Sequence, residues 1–170
     1  MKGLIQLGHR RIAYLHTSPP VTAHKERLLG YREALEEAGL FREELIPPCS
    51  NTRASLEAAI SFLLDLPEPP TAFFCRNHGT LVTVFGILLG KGYRIPQDFS
   101  LVCFDRPDEA LDILLPASYV HQPAEEIAVS AVRLLLNRAE NPRHPAEPKI
   151  VTLAPKVIWR ASCAPPRARP

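Results

Sequence analysis

The chain has 170 residues, 46% hydrophobic and 22% charged, which excludes disorder, collagen-like repeats and coiled coil and suits one globular domain with a single sizeable core. Its 20 Lys and Arg against 18 Asp and Glu leave a net charge of +2, short of the excess carried by domains that grip nucleic acid through phosphates. Cys49, Cys75, Cys103 and Cys163 lack C-x-x-C spacing, no secretory leader pattern opens the chain, and its longest apolar stretch is far too short to span a bilayer; free thiols, a cytoplasmic location and no membrane contact are expected.

Leu4-Ile5-Gln6-Leu7, stopped by Gly8, reads as the last turns of a helix whose beginning lies outside this sequence. Residues 11–16 read as a strand ended by Pro19-Pro20. Thr22 can cap the next helix, where Leu28, Tyr31, Leu35 and Ala38 recur at helical spacing before Gly39. Residues 44–49 are an edge-strand candidate, because Pro47 and Pro48 donate no ladder hydrogen bonds. Asn51 or Thr52 caps a helix through Asp65, with Leu56, Ile60, Leu63 and Leu64 on its apolar side.

Residues 71–75 form a short apolar run typical of a strand covered on both faces. A helix over about 79–91 ends at Gly92, and residues 99–104 give another apolar strand. Residues 106–118 are irregular, 119–122 briefly extended, and 124–138 a long helix with Ile127, Ala131, Leu134 and Leu135 along one face. Extended pieces at 149–153 and 156–159 close the chain. Proline, at 18 residues, concentrates toward the end and predicts a loose tail over 164–170.

Strands alternating with helices predict right-handed crossovers and an α/β architecture, a parallel sheet of about four strands over residues 9–105 in a three-layer sandwich with helices on both faces. The helix at 124–138 has more apolar surface than a solvent-facing helix needs. It packs either on this sheet or on a second lobe.

Five motifs in fixed order resemble the LacI/GalR-type transcriptional regulators. They are LGHRRIA at 7–13, RLLGYREAL at 27–35, PTAFF with Asn77, IPQDFSLVCFD at 95–105, and Gln122-Pro123 before an Ala/Glu-rich helix. The resemblance covers residues 4 to about 163 and implies a periplasmic-binding-protein-like type I sensor domain of two α/β lobes around a cleft. On it, residues 1–163 form a partial sensor domain. About 9–118 correspond to the second lobe, about 123–139 to a helix of the first lobe in relatives, and about 148–160 to returning strands. The helix-turn-helix headpiece and most of the first lobe are absent from this sequence, so contact with DNA would run only through a headpiece lying elsewhere. A homodimer is the expected assembly.

The same resemblance implies a small-molecule effector of the sugar or nucleoside class, with no cofactor or metal. It places Arg27, Asn77 and Asp105 as polar contacts, Phe74 as an apolar wall and Gln122 near the hinge. The chemistry suits a polyol: Arg27 offers a fork of donors, Asp105 accepts from two oxygens, and Asn77 does both. Each residue also has a plainer reading. Arg27 can be a solvated helix charge, Asp105 a turn residue before Arg106-Pro107, Asn77 an N-cap, and Phe74 simply core.

The chain departs from the family pattern at this site, with Asn77-His78 for ND, Leu81 and Thr83 for small residues, Cys103 for the glycine of GFD, and Arg106 for the second acid of FDD. Two carboxylates are lost and one cation gained, so the rim becomes more positive. There is no G-x-S-x-G elbow, Gly-rich phosphate loop or H-E-x-x-H, and no enzymatic activity is expected. The alternative is a stand-alone solute-binding protein of the sugar-transport type, against which the missing leader pattern counts.

Overall fold

The computed structural model describes residues 1–16, 22–108, 113–140 and 149–167. Among these residues five strands lie in the order β1 (Ile12–Leu15), β2 (Ala72–Cys75), β3 (Ser100–Phe104), β4 (Ser118–His121) and β5 (Lys156–Ile158). The first four are parallel, with Leu15, Cys75 and Cys103 in line across β1 to β3, and β5 runs antiparallel to β4. The helices are α1 (Lys2–Gln6), α2 (Thr22–Glu37), α3 (Arg53–Leu64), α4 (His78–Gly90) and α5 (Ala124–Glu140). The α/β layering read from the sequence is thus observed.

Alternation along the strands divides the core. Ile12, Tyr14, Ala72, Phe74 and Val102 face Leu4 of α1 and Tyr31 and Leu35 of α2. Ala13, Leu15, Phe73, Cys75, Leu101 and Cys103 face Leu56, Ile60 and Leu63 of α3 and Leu81, Val84 and Leu88 of α4. Each such aliphatic or aromatic side chain stabilises the fold by roughly 1.5–3 kcal/mol on full burial. The helices therefore change sheet face between α2 and α3. In an open parallel sheet such a reversal leaves a crevice outside the carboxyl ends of the strands.

Local signals set the boundaries. Gly8 and Gly92 end α1 and α4 at φ 99° and 85°, a left-handed conformation that costs glycine no Cβ clash. In each, two backbone bonds close the last turn: Gly8 N–H to Ile5 and His9 N–H to Leu4, and Gly92 N–H to Leu89 and Tyr93 N–H to Leu88. The Gly39 stop is built the same way. Thr52 Oγ1 caps α3 by accepting from the Ser55 N–H at 3.3 Å.

Three expectations are corrected. Residues 44–49 do not form a strand: residues 43–45 make a 3-10 turn and only Cys49 forms a bridge, because Pro47-Pro48 supplies no donors. Residues 149–153 are not a strand either, and Ile150 stays 89% exposed, with no strand beside it among the described residues. The proline-rich end is not loose through Arg167. Ser162 donates to the Leu101 carbonyl at 2.6 Å, Ala164 accepts from His9 Nε2 at 3.0 Å, and Arg167 lies 3.5 Å from Asp98. Side chains and carbonyls do the anchoring that proline nitrogens cannot. The predicted stop at Pro19-Pro20, the side chain of Thr22, the prolines at 142, 145 and 148, and residues 168–170 lie outside the described set.

No residue of α5 is buried, and Ile127, Leu135 and Leu136 are 47%, 67% and 54% exposed. Its apolar face does not pack on this sheet. Among the described residues no helix is long and apolar enough to cross a membrane.

Candidate functional site

The sequence-predicted residues gather at the carboxyl ends of the strands. Arg27, one turn into α2, lays its guanidinium 3.7 Å from the centroid of the Phe104 ring, and its Nη1 donates to the Arg76 carbonyl at 3.0 Å. Stacking on the ring face and one hydrogen bond fix the fork without consuming all five donors. Asp105 follows β3 at φ 74°, left-handed for a non-glycine residue, which aims its carboxylate sideways toward the end of β4. There Gln122 Nε2 donates to Asp105 Oδ1.

Phe74 is 6% exposed, on the same sheet face as Tyr14. With Arg27, Phe104, Val120, Gln122 and Trp159 it lines a cleft of about 570 Å3. That cleft extends along the part of the sheet face that five-residue α1 leaves uncovered, and its walls are mainly apolar.

Asn77 is set apart from this group. Its Oδ1 caps α4, accepting from Thr80 N–H at 2.9 Å and Thr80 Oγ1 at 3.0 Å, so the plainer reading describes its oxygen. It lines a second hollow of about 270 Å3 with Asn51, Arg76, Gly79 and Thr83. Arg76 joins the two groups, because its carbonyl holds Arg27 while its guanidinium donates to Asn51 at 3.0 Å.

Arg76 was not singled out by sequence reasoning, although a cation directly after the apolar run Phe73-Phe74-Cys75 is a readable signal. It is 6% exposed, and burial followed by the nearby charge of Arg27 depresses its pKa. Tyr14 was also missed. Its ring stacks against Tyr31 and Phe74 at 5.2 and 5.1 Å, it is fully buried, and its hydroxyl has no hydrogen-bond partner among the described residues.

The cysteines do not form a reactive site. Burial keeps the Cys75 thiol well above its ordinary range and pushes Cys103 up to about 12, so neither offers a thiolate near neutral pH. Among the described residues no group of three or more His, Cys, Asp or Glu side chains could hold a metal ion.

A sheet that changes helix face at β1 and β2, with polar side chains convergent at its carboxyl edge, defines a ligand-binding lobe of the doubly wound α/β class. The family model of the periplasmic binding protein-like domain matches residues 1–163, and the chain belongs to that family. An HTH-type transcriptional repressor PurR of Vibrio atlanticus is 31% identical over 162 residues, 95% of this chain and 48% of the relative. The transcriptional regulator CelR, solved as a cellobiose complex, superposes with a TM-score of 0.80 at 33% identity, over 95% of this chain and 49% of that one. A LacI family regulator from Enterococcus faecium with bound ribose gives 0.81 at 26% identity, over 97% of this chain and 61% of that one. The chain spans about half the length of the curated relatives it matches. These relatives are named as repressors and regulators, not as enzymes.

Proposed function

We propose that this chain is the effector-sensing part of a cytoplasmic LacI-type transcriptional regulator. A small polyhydroxylated molecule, a sugar or nucleoside, binds at the carboxyl edge of the sheet. Arg27 and Asp105 hydrogen-bond adjacent hydroxyls, Asn77 and Gln122 add amide contacts, and Phe74 packs beneath the ring. The observation that carries this reading is the convergence of Arg27, stacked on Phe104, with the Asp105–Gln122 pair at one edge. The ribose and cellobiose held by two structural relatives support the ligand class.

Regulation would follow from the ligand's preference for one of two arrangements of this lobe against a second one, which is what any ligand-driven switch requires. DNA would be read by a headpiece that is not among these residues, and the chain would act as a homodimer. The test is a thermal-shift screen against neutral sugars, nucleosides and purines, repeated on Arg27→Ala. A ligand selective for the folded state raises the melting temperature by mass action. Stabilisation by at least one such compound, lost in Arg27→Ala, is the expected result; no shift with any compound overturns the reading.

A further inference from the structure

The cleft beside Arg27 is polar at one end. Glu26 and Arg27, one turn into α2, and Gln122, just after β4, stand at the carboxyl edge of the sheet. From there the cleft follows α2 down the sheet face past Gly30 and Ala34, and the seven residues from Arg27 to Ala34 cover about 10 Å of helix axis. Apart from the Trp159 indole, the side chains along that length are apolar or have their polar atoms engaged. Tyr31 gives its hydroxyl to the Ile12 carbonyl, and Lys2 pairs with Glu37 at 2.9 Å.

Two residues shape this apolar length. Trp159 follows β5, whose Ile158 packs into the opposite core layer, so alternation turns the indole to the cleft side. The ring lies against α1, where a Cβ at Gly3 would collide with it. Only glycine leaves that room, and the indole is held as an end wall while 46% of Trp159 stays exposed. Gly30 faces the cleft from α2 with nothing within 4 Å of the position a Cβ would take. The whole cleft, about 570 Å3, is the size of a small-molecule site and larger than one hydroxylated ring at Arg27 would fill.

We propose that the effector carries an aromatic group on its hydroxylated head and that this group occupies the apolar length of the cleft. The head stays at the carboxyl edge on Arg27 and Gln122. The aromatic ring lies between the Gly30 side of α2 and the sheet, with its outer edge toward Trp159. Continuity decides the occupant: Arg27 and Gln122 line the same cavity as Trp159, so a molecule held by those two groups has its next atoms inside the apolar length. Phe74, Phe104 and Trp159 favour a flat aromatic partner, since rings gain from stacked and edge-on contacts beyond the area they bury. A purine base fits less well, because its ring nitrogens and amino group would leave water and meet few polar partners there. The ligand is thus of the aryl glycoside type. The inference rests on the sensor reading above and narrows its ligand class.

The test is isothermal titration of the full chain with matched methyl and phenyl β-glycosides of glucose, galactose and xylose, with adenosine as a further arm. For at least one pair the phenyl member is expected to bind at least about tenfold more tightly than the methyl member. Trp159 is the only tryptophan, so the same phenyl compound should shift its emission while the methyl compound leaves it in place. The phenyl-to-methyl ratio should fall below about threefold in Gly30→Leu, which fills the cleft from α2, and in Trp159→Ala, which removes its end wall. Gly30 lies within α2 with room for a side chain, so its variant keeps the test valid if Trp159→Ala does not fold. Phenyl and methyl members binding alike, or a preference that survives both variants, overturns this inference and leaves the sensor reading standing. Both variants changing the sedimentation coefficient, with no phenyl compound gaining over its methyl partner, shows the cleft covered by a second copy and also overturns it. Adenosine binding more tightly than every phenyl glycoside overturns the choice of an aryl group. Binding by none of the compounds overturns both readings.

Discussion

Gln122, at the end of β4, donates its amide hydrogen to the carboxylate of Asp105, at the end of β3, and so ties together two adjacent strand ends across 17 positions of chain. Asp105 holds this position with φ at 74°, which costs a non-glycine residue about 1 kcal/mol. Replacing it with glycine should therefore leave the apo domain equally stable or up to about 1 kcal/mol more stable in urea denaturation, while weakening effector binding at least about tenfold. An equal loss of stability would show that the carboxylate serves the fold instead.

Two buried tyrosines give opposite expectations. The Tyr31 hydroxyl donates to the Ile12 carbonyl at 2.6 Å, so Tyr31→Phe leaves a buried acceptor short and should cost about 1–2 kcal/mol. The Tyr14 hydroxyl has no such partner, so Tyr14→Phe should be neutral or stabilising by up to about 1 kcal/mol without ligand. Chemical denaturation of the two variants side by side measures the contrast.

His9 is 1% exposed and contacts Thr71 Oγ1 at 2.8 Å, Ser100 Oγ at 3.0 Å and the Ala164 carbonyl at 3.0 Å. Burial lowers its pKa below the ordinary 6.5, against a smaller opposing pull from the Ala164 carbonyl. The fold thus prefers the neutral ring. Its contribution is fully present above pH 6.5 and is lost as pH falls from there toward the lowered folded-state value. The melting temperature should drop over that interval, and the drop should flatten in His9→Gln.

Ser162 is fully buried; its Oγ donates to the Leu101 carbonyl at 2.6 Å and accepts from the Ser118 N–H at 2.7 Å. Ser162→Ala removes both contacts and should destabilise the domain by about 2–3 kcal/mol. Ser162→Thr keeps the hydroxyl and tests whether the site tolerates one more methyl.

The face of α5 bears Ile127, Leu135 and Leu136 without packing them. Leu135→Glu and Leu136→Lys should leave monomer stability within about 0.5 kcal/mol. If the chain self-associates through this helix, the same variants should shift sedimentation velocity from dimer to monomer. Unchanged association would move the dimer contact elsewhere.

The sequence made the sheet legible because each central strand is a short apolar run closed by Pro, Gly, Asn or Asp, while Thr52 and Asn77 cap α3 and α4 and glycines close α1, α2 and α4. It misled at 44–49 and 149–153, where apolar residues mimic strands but ladder partners are missing. Arg27, Phe74 and Gln122 line one cleft, while Asn77 gives its oxygen to the helix cap. Arg76 and Tyr14 escaped notice for a physical reason. Their importance lies in burial, which a one-dimensional pattern does not display.

The bonds from His9 to Ala164 and from Leu101 to Ser162 span 155 and 61 positions. Long loops must close before such contacts form, and topologies rich in them fold slowly. On a ribosome, β1 to β3 would emerge with their edge unsealed, and the sheet could gain its full cohesion only once residue 164 had cleared the exit tunnel. Until then the start of β3, at Ser100 and Leu101, would lack the partners that Ser162 and Ala164 supply and would be open to chaperones, and to other nascent chains.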